Sequence, residues 1–168
     1  MKKANLFCFA IMTPFLIISC ASTPYTTTFT EIDVLIESGA WEIAEVLPQE
    51  ESKTLAVYYF TEGDKKSSIS DYLINGLTTQ IANAIKYEEI NTKVVSRQHL
   101  DRIMEELSFQ MSDLADQTVQ LKIGKQLGAD LIVTGTVEQI AGEHKVNAQV
   151  IEVETGVVYG GFLFTLTR

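Results

Sequence analysis

The sequence predicts a single domain of the α/β (α+β) class, with helices packed on a mixed, mostly antiparallel sheet of about five strands. The continuous apolar run at 55–60 is typical of a central strand that is covered on both faces. Apolar residues at helical spacing recur before and after this run and predict amphipathic helices. From residue 130 onward, β-rich segments separated by short turns indicate a β-meander.

The helices are predicted from apolar spacing and from residues that begin or end a helix. Thr30 or Asp33 can cap the first helix, Gly39 weakens its middle, and Pro48 ends it. The other helices are expected to begin at residue 68 or 70, to cover 97–107, and to carry the stripe Val119, Ile123 and Leu127. Gly128 stands where a left-handed residue commonly ends a helix.

The strands are predicted in the remaining apolar segments, at 55–60, 92–95, 130–139, 145–154 and 157–167. Within 145–154, Ile151 and Val153 are out of phase with the preceding alternation, which predicts a bulge or burial of both faces. The last strand is expected to place Val158, Phe162, Phe164 and Leu166 on one face. The predicted element order is therefore αβαβααβββ.

The N-terminal segment has the layout of an export signal that is removed. Lys2 and Lys3 precede a short apolar stretch, which ends in the sequence Ile-Ile-Ser-Cys at Cys20. This ending resembles a bacterial lipobox, in which cleavage precedes a cysteine that then carries lipid. A plain secretory signal with a chance cysteine is the alternative. We predict a signal peptide at 1–19, a lipidated Cys20 with a short tether at 20–30, and the domain at 31–168.

The predicted attachment to the membrane is the lipid on Cys20. No later segment approaches the ~20 consecutive apolar residues that a spanning helix needs. Ala21 follows the cysteine, where lipoproteins retained at the inner membrane of enteric bacteria commonly have aspartate. The predicted location is therefore the bacterial cell envelope, at the outer membrane and facing the periplasm.

Charge and composition argue against several classes of function. Removal of residues 1–19 takes away two lysines and no acid, which changes the formal charge from -9 to -11. Nucleic acid would be repelled, so no nucleic-acid partner is predicted. His99 and His144 lack ligand spacing and are expected to be solvated. No phosphate-binding glycine loop or nucleophile motif is found, so we predict no metal, no cofactor, no catalytic residue and no enzymatic activity.

Several motifs together resemble a group of bacterial envelope lipoproteins. The group contains the curli secretion subunit CsgG, the flagellar lipoprotein FlgO and the penicillin-binding protein activator LpoB. The similarity extends over roughly 32–164, and its motifs lie at 53–57, 94–101, 105–110, 123–136 and 153–156. Physically, Leu100 and Leu107 fit core anchors, while Gly124 and Gly135 fit close approach of the backbone.

The resemblance implies a protein that binds other proteins or forms rings, and it carries no established active site. The main interpretation is a lipid-anchored interaction or assembly scaffold, for example in a flagellar or secretion structure, with envelope proteins or further copies of itself as partners. One alternative is an activator of a penicillin-binding peptidoglycan synthase. A second is a subunit of a curli-type channel, for which the loops offer no room for transmembrane hairpins.

Overall fold

The computed structural model describes residues 30–107 and 115–166. Its helices are α1 (Glu31–Glu45), α2 (Ser70–Tyr87), α3 (Arg97–Leu107) and α4 (Gln117–Gln126). Its strands are β1 (Lys53–Glu62), β2 (Lys65–Lys66), β3 (Thr92–Val94), β4 (Leu131–Ile140), β5 (Glu143–Glu152) and β6 (Val158–Leu166). The predicted order is confirmed, with β2 as the one addition.

The strands form one mixed sheet in the order β2-β1-β4-β5-β6, and β3 pairs with the opening residues of β1. β1 is parallel to β3 and β4, whereas β4, β5 and β6 form the predicted antiparallel meander. β2 folds back on the end of β1 through a turn in which Gly63 has φ +58°. Glycine adopts this left-handed conformation at low cost. The fold class predicted from the sequence is confirmed.

Helices cover both faces of the sheet. Ile132 and Gly135 are three residues apart on β4 and therefore point to opposite faces. On one face, β6 packs under α1, where a Cβ at Gly39 would lie 2.6 Å from the Phe162 ring. On the other face, a Cβ at Gly124 of α4 would lie 3.0 Å from Ile132. Gly39 is thus a site of close packing, although the sequence suggested only a weak point in the helix.

Other predictions for the core have mixed outcomes. Leu100 is 2% exposed and is confirmed as a core anchor, whereas the side chain of Leu107 lies outside the described part of the chain. Val150 and Ile151 are both buried while β5 pairs with β4 without interruption, which confirms burial of both faces rather than a bulge in β5. The register between β5 and β6 shifts at this point, and the extra residue, Tyr159, lies in β6. The prediction for Val158 is wrong, since this residue is 49% exposed. The shift pairs Val158 with Ile151, so Val158 leaves the face that Phe162 occupies.

Candidate interaction surfaces

The predicted site residue, Cys20, lies outside the described residues, as does most of the 20–30 tether. The two histidines were expected to be solvated, but both are half-buried. His99 contacts the Arg102 side chain in α3, and His144 pairs with Leu166 at the end of the β5–β6 ladder. Within residues 30–107 and 115–166, no cluster of three or more potential metal ligands occurs, and no helix is long and apolar enough to cross a membrane.

A polar network that the sequence did not predict joins β1, β2, α2 and α3; we call it the Arg97 network. Its members are Tyr59, Lys66, Asp71, Arg97 and Asp101. The guanidinium of Arg97 binds Asp71 at 2.7 Å and Asp101 at 2.8 Å, and Lys66 binds Asp71 at 2.6 Å. The Tyr59 ring lies beneath both cations, 4.7 Å from the Lys66 ammonium and 5.1 Å from the Arg97 guanidinium.

The surroundings within the Arg97 network shift the pKa values of Asp71 and Tyr59. Burial acts to raise the pKa of the Asp71 carboxyl, but the hydrogen bonds and charges of Lys66 and Arg97 outweigh it, so this pKa is lowered. Burial raises the pKa of the Tyr59 hydroxyl, against the charge of Arg97. Asp71 keeps a side-chain exposure of 56%. Because water screens such partly exposed pairs, the network stabilises the fold modestly and mainly sets how the four elements meet.

Replacing Asp71 by asparagine is expected to remove a stabilisation that depends on pH. Its pKa is lower in the folded chain than the ordinary value of 3.8, so the ionised form stabilises the fold above that pH. The stabilisation is lost as the pH falls through the folded pKa. Urea unfolding at several pH values should therefore show a deficit for Asp71→Asn at pH 7 that shrinks toward pH 3. The exposed Asp64→Asn is the control, and a deficit independent of pH would contradict this interpretation.

The edge strand β6 is a first candidate surface. Its nine residues include no charged side chain, although edge strands usually carry charges that prevent pairing with another chain. Leu163 is 69% exposed and Tyr159 is 38% exposed. A cleft of about 260 Å³ between the start of α4 and the neighbouring strands β4 and β5 is lined by neutral residues, among them Thr136, Asn147 and Gln149. These features suit contact with another polypeptide.

A second candidate surface, which we call the aromatic groove, lies where α1 and α2 end. Its lining residues are Trp41, Ala44, Glu45, Gln49, Glu88 and Ile90, and its volume is about 250 Å³. Tyr87 stands beside it, with its ring centroid 5.5 Å from that of Trp41 and the planes at 86°. The sequence analysis did not predict this groove. The spacing of α1 did contain a signal, because Trp41 lies outside the apolar stripe that is buried, and a residue outside that stripe is expected to be exposed.

The fold and these surfaces define a small α+β domain for interaction with other proteins. The chain belongs to the family described as peptidoglycan-synthase activator LpoB, whose sequence profile matches residues 70–159. This stretch runs from the start of α2 into β6. It includes the members of the Arg97 network on α2 and α3, but not Tyr59 on β1 or Lys66 on β2. The resemblance predicted from the motifs is thereby confirmed for the activator member of the group.

Solved structures support the same fold. The LpoB C-terminal domain from Salmonella enterica aligns with a TM-score of 0.59 at 14% identity, covering 79% of this chain and 96% of that domain. The corresponding Escherichia coli domain gives 0.56 at 14% identity, covering 79% and 98%. The NMR structure of Escherichia coli LpoB gives 0.54 at 14% identity, covering 97% and 81%. A comparison with curated protein sequences gives no match.

Proposed function

We propose that this protein activates a penicillin-binding peptidoglycan synthase by binding it in the bacterial envelope. The observation that carries the proposal is the family match over residues 70–159, which includes the strands β3, β4 and β5 and three of the four described helices. The alternative stated from the sequence thus has more support than the flagellar or secretion scaffold. In this role the protein contributes binding energy and no catalytic group, and the chemistry belongs to the synthase.

The proposed anchor is lipid on Cys20 after removal of residues 1–19, at the outer membrane and facing the periplasm. The stretch 21–30 can extend to at most ~35 Å, and a flexible chain of that length averages ~18 Å. Stable anchoring by lipid needs more than one acyl chain, and the lipobox resemblance implies several. The domain then stays near its membrane, and the synthase has to extend to within this distance.

Replacing Cys20 by alanine is expected to abolish lipid attachment, because Cys8 is removed with the signal and the sequence has two cysteines. Cells fed a fatty-acid analogue that can be tagged should label the wild-type chain and leave Cys20→Ala unlabelled. Cys8→Ala is the matched control and should label normally. Labelling of Cys20→Ala, or none of the wild type, would contradict the anchor.

The activator function can be measured directly. The full chain, purified in detergent, would be added to each purified penicillin-binding synthase of the same organism together with a lipid-linked precursor. We expect one synthase to bind the chain and to polymerise glycan several-fold faster, while heat-unfolded chain has no effect. If no synthase binds or accelerates, and crosslinking in cells instead recovers flagellar or secretion components, the scaffold interpretation replaces this proposal.

A further inference from the structure

We propose that the aromatic groove is the docking site for a basic segment of the synthase, in which an arginine or lysine side chain lies against Trp41 and Tyr87. The inference rests on the proposed function for the identity of the partner. The chemistry of the site is independent of that function, because it depends on the side chains that line the groove.

The aromatic pair has the composition of a binding hot spot. Trp41 is the only tryptophan of the chain, and it remains 38% exposed on α1. Tyr87, the last residue of α2, is 77% exposed. Tryptophan and tyrosine dominate the energetics of protein interfaces when a partner covers them. A side chain as exposed as Tyr87 gains little from burial in the isolated domain, so packing alone does not account for the pair.

The charges around the groove select a cationic partner. Glu45 and Glu88 line it, and Glu89 follows Glu88 directly in the chain. The helix α1 contains five acidic residues and no lysine or arginine. Lys86, in the last turn of α2, is the one nearby cation on that helix. A guanidinium or ammonium over the aromatic faces would gain both cation–π attraction and ion pairing.

The same acids are poorly placed for the stability of the isolated domain. Glu45 ends α1 and Glu88 caps the C-terminus of α2, where the helix dipole disfavours negative charge. Glu89 adopts φ +57°, a conformation that glycine or asparagine accepts more readily. Three local preferences are therefore violated around one exposed aromatic pair. Such violations are expected at binding sites.

A membrane surface is the other occupant that an exposed tryptophan and tyrosine would suggest. Anionic headgroups would be repelled by Glu45, Glu88 and Glu89, whereas a basic protein segment would be attracted by them. The charge of the groove therefore favours the protein partner. Binding of the wild type and of Trp41→Ala to phosphatidylglycerol vesicles is therefore measured beside binding to the synthase, so that lipid has its own outcome.

The test measures binding of the full chain, in detergent, to the synthase that it activates. We expect Trp41→Ala and Tyr87→Ala each to weaken the affinity at least tenfold, equivalent to about 1.4 kcal/mol. Glu45→Lys with Glu88→Lys should weaken it similarly and reduce its dependence on salt. The controls are Tyr72→Ala, another exposed tyrosine on α2, and Glu62→Lys, at the far end of β1. Both should bind as the wild type does.

A second measurement probes the groove without the synthase. Because Trp41 is the only tryptophan, its emission reports directly on a peptide that contains none. A short peptide of alternating leucine and arginine should change this emission, and the same peptide with glutamate for arginine should not. The Glu45→Lys, Glu88→Lys chain should lose the response.

The outcomes separate the two proposals. If no synthase binds but the basic peptide does, the proposed function fails and the basic docking site stands with another partner. If a synthase binds equally well to wild type and all groove variants, the docking inference is overturned and the activator function stands. Failure of the basic peptide to perturb Trp41, or loss of binding to phosphatidylglycerol vesicles as the main effect of Trp41→Ala, would also overturn the docking inference.

Discussion

Replacing Phe60 by alanine is expected to destabilise the domain by about 3–5 kcal/mol. Phe60 is 0% exposed at the centre of the sheet, where its ring lies against β4 at Gly135. Its backbone N–H donates to the Ser70 hydroxyl at 2.9 Å, which fixes β1 to the start of α2. Because strands and helices hold the surrounding residues, the structure cannot collapse into the space that the ring leaves, and a cavity remains.

Urea unfolding followed by circular dichroism measures this effect. Leu163→Ala, in the edge strand and 69% exposed, is the matched control and should change the free energy of unfolding by less than about 0.5 kcal/mol. A loss below about 1 kcal/mol for Phe60→Ala would show that the ring is not packed at the centre of the sheet.

Replacing Gly135 by alanine is expected to destabilise the domain by about 3 kcal/mol or more, although only one methyl group is added. An added Cβ would collide with the carbonyl oxygen of Asn147 on β5 and would lie 2.7 Å from the Phe60 ring. The backbone oxygen cannot rotate away as a flexible side chain would, so β4 and β5 would have to separate.

Gly63→Ala is the control, because it changes the conformational preference of the backbone without creating a steric clash. Gly63 has φ +58° with nothing within 4 Å of a new Cβ, so its substitution should cost only about 1 kcal/mol. Thermal unfolding of both variants makes the comparison. Equal losses would mean that the clash at Gly135 is relieved at low cost. The Phe60→Ala, Gly135→Ala double variant should be less destabilised than the sum of the single changes, because the smaller residue removes one of the two collisions.

The helices and strands of the core were predictable because their patterns are local. The stripe of α2, the apolar run of β1 and the turn glycines of the meander are visible within short windows. The two-residue strand β2 was not predictable, because its pairing depends on the neighbouring strand and two residues carry no period. The burial of both faces near Ile151 was visible as a break in alternation, but the exposure of Val158 depends on the β5–β6 register.

The candidate sites divide in the same way. Lipid attachment at Cys20 is predicted from adjacent residues, so this prediction needs no tertiary contact. The Arg97 network joins Asp71 and Arg97, which are 26 residues apart, and neither residue carries a local sign of its partner. The aromatic groove likewise forms only where the ends of two helices meet.

By itself, the amino-acid sequence determined the class of fold, the order of its main elements, the lipid-anchor prediction and the family resemblance. These depend on periodicity and on short motifs, which act over a few residues. Only the tertiary structure decided which glycines support close packing, which charges pair, and that Trp41 and Tyr87 face solvent together beside Glu45 and Glu88. Contacts between segments distant in the chain arise from packing, and packing is a property of the whole domain.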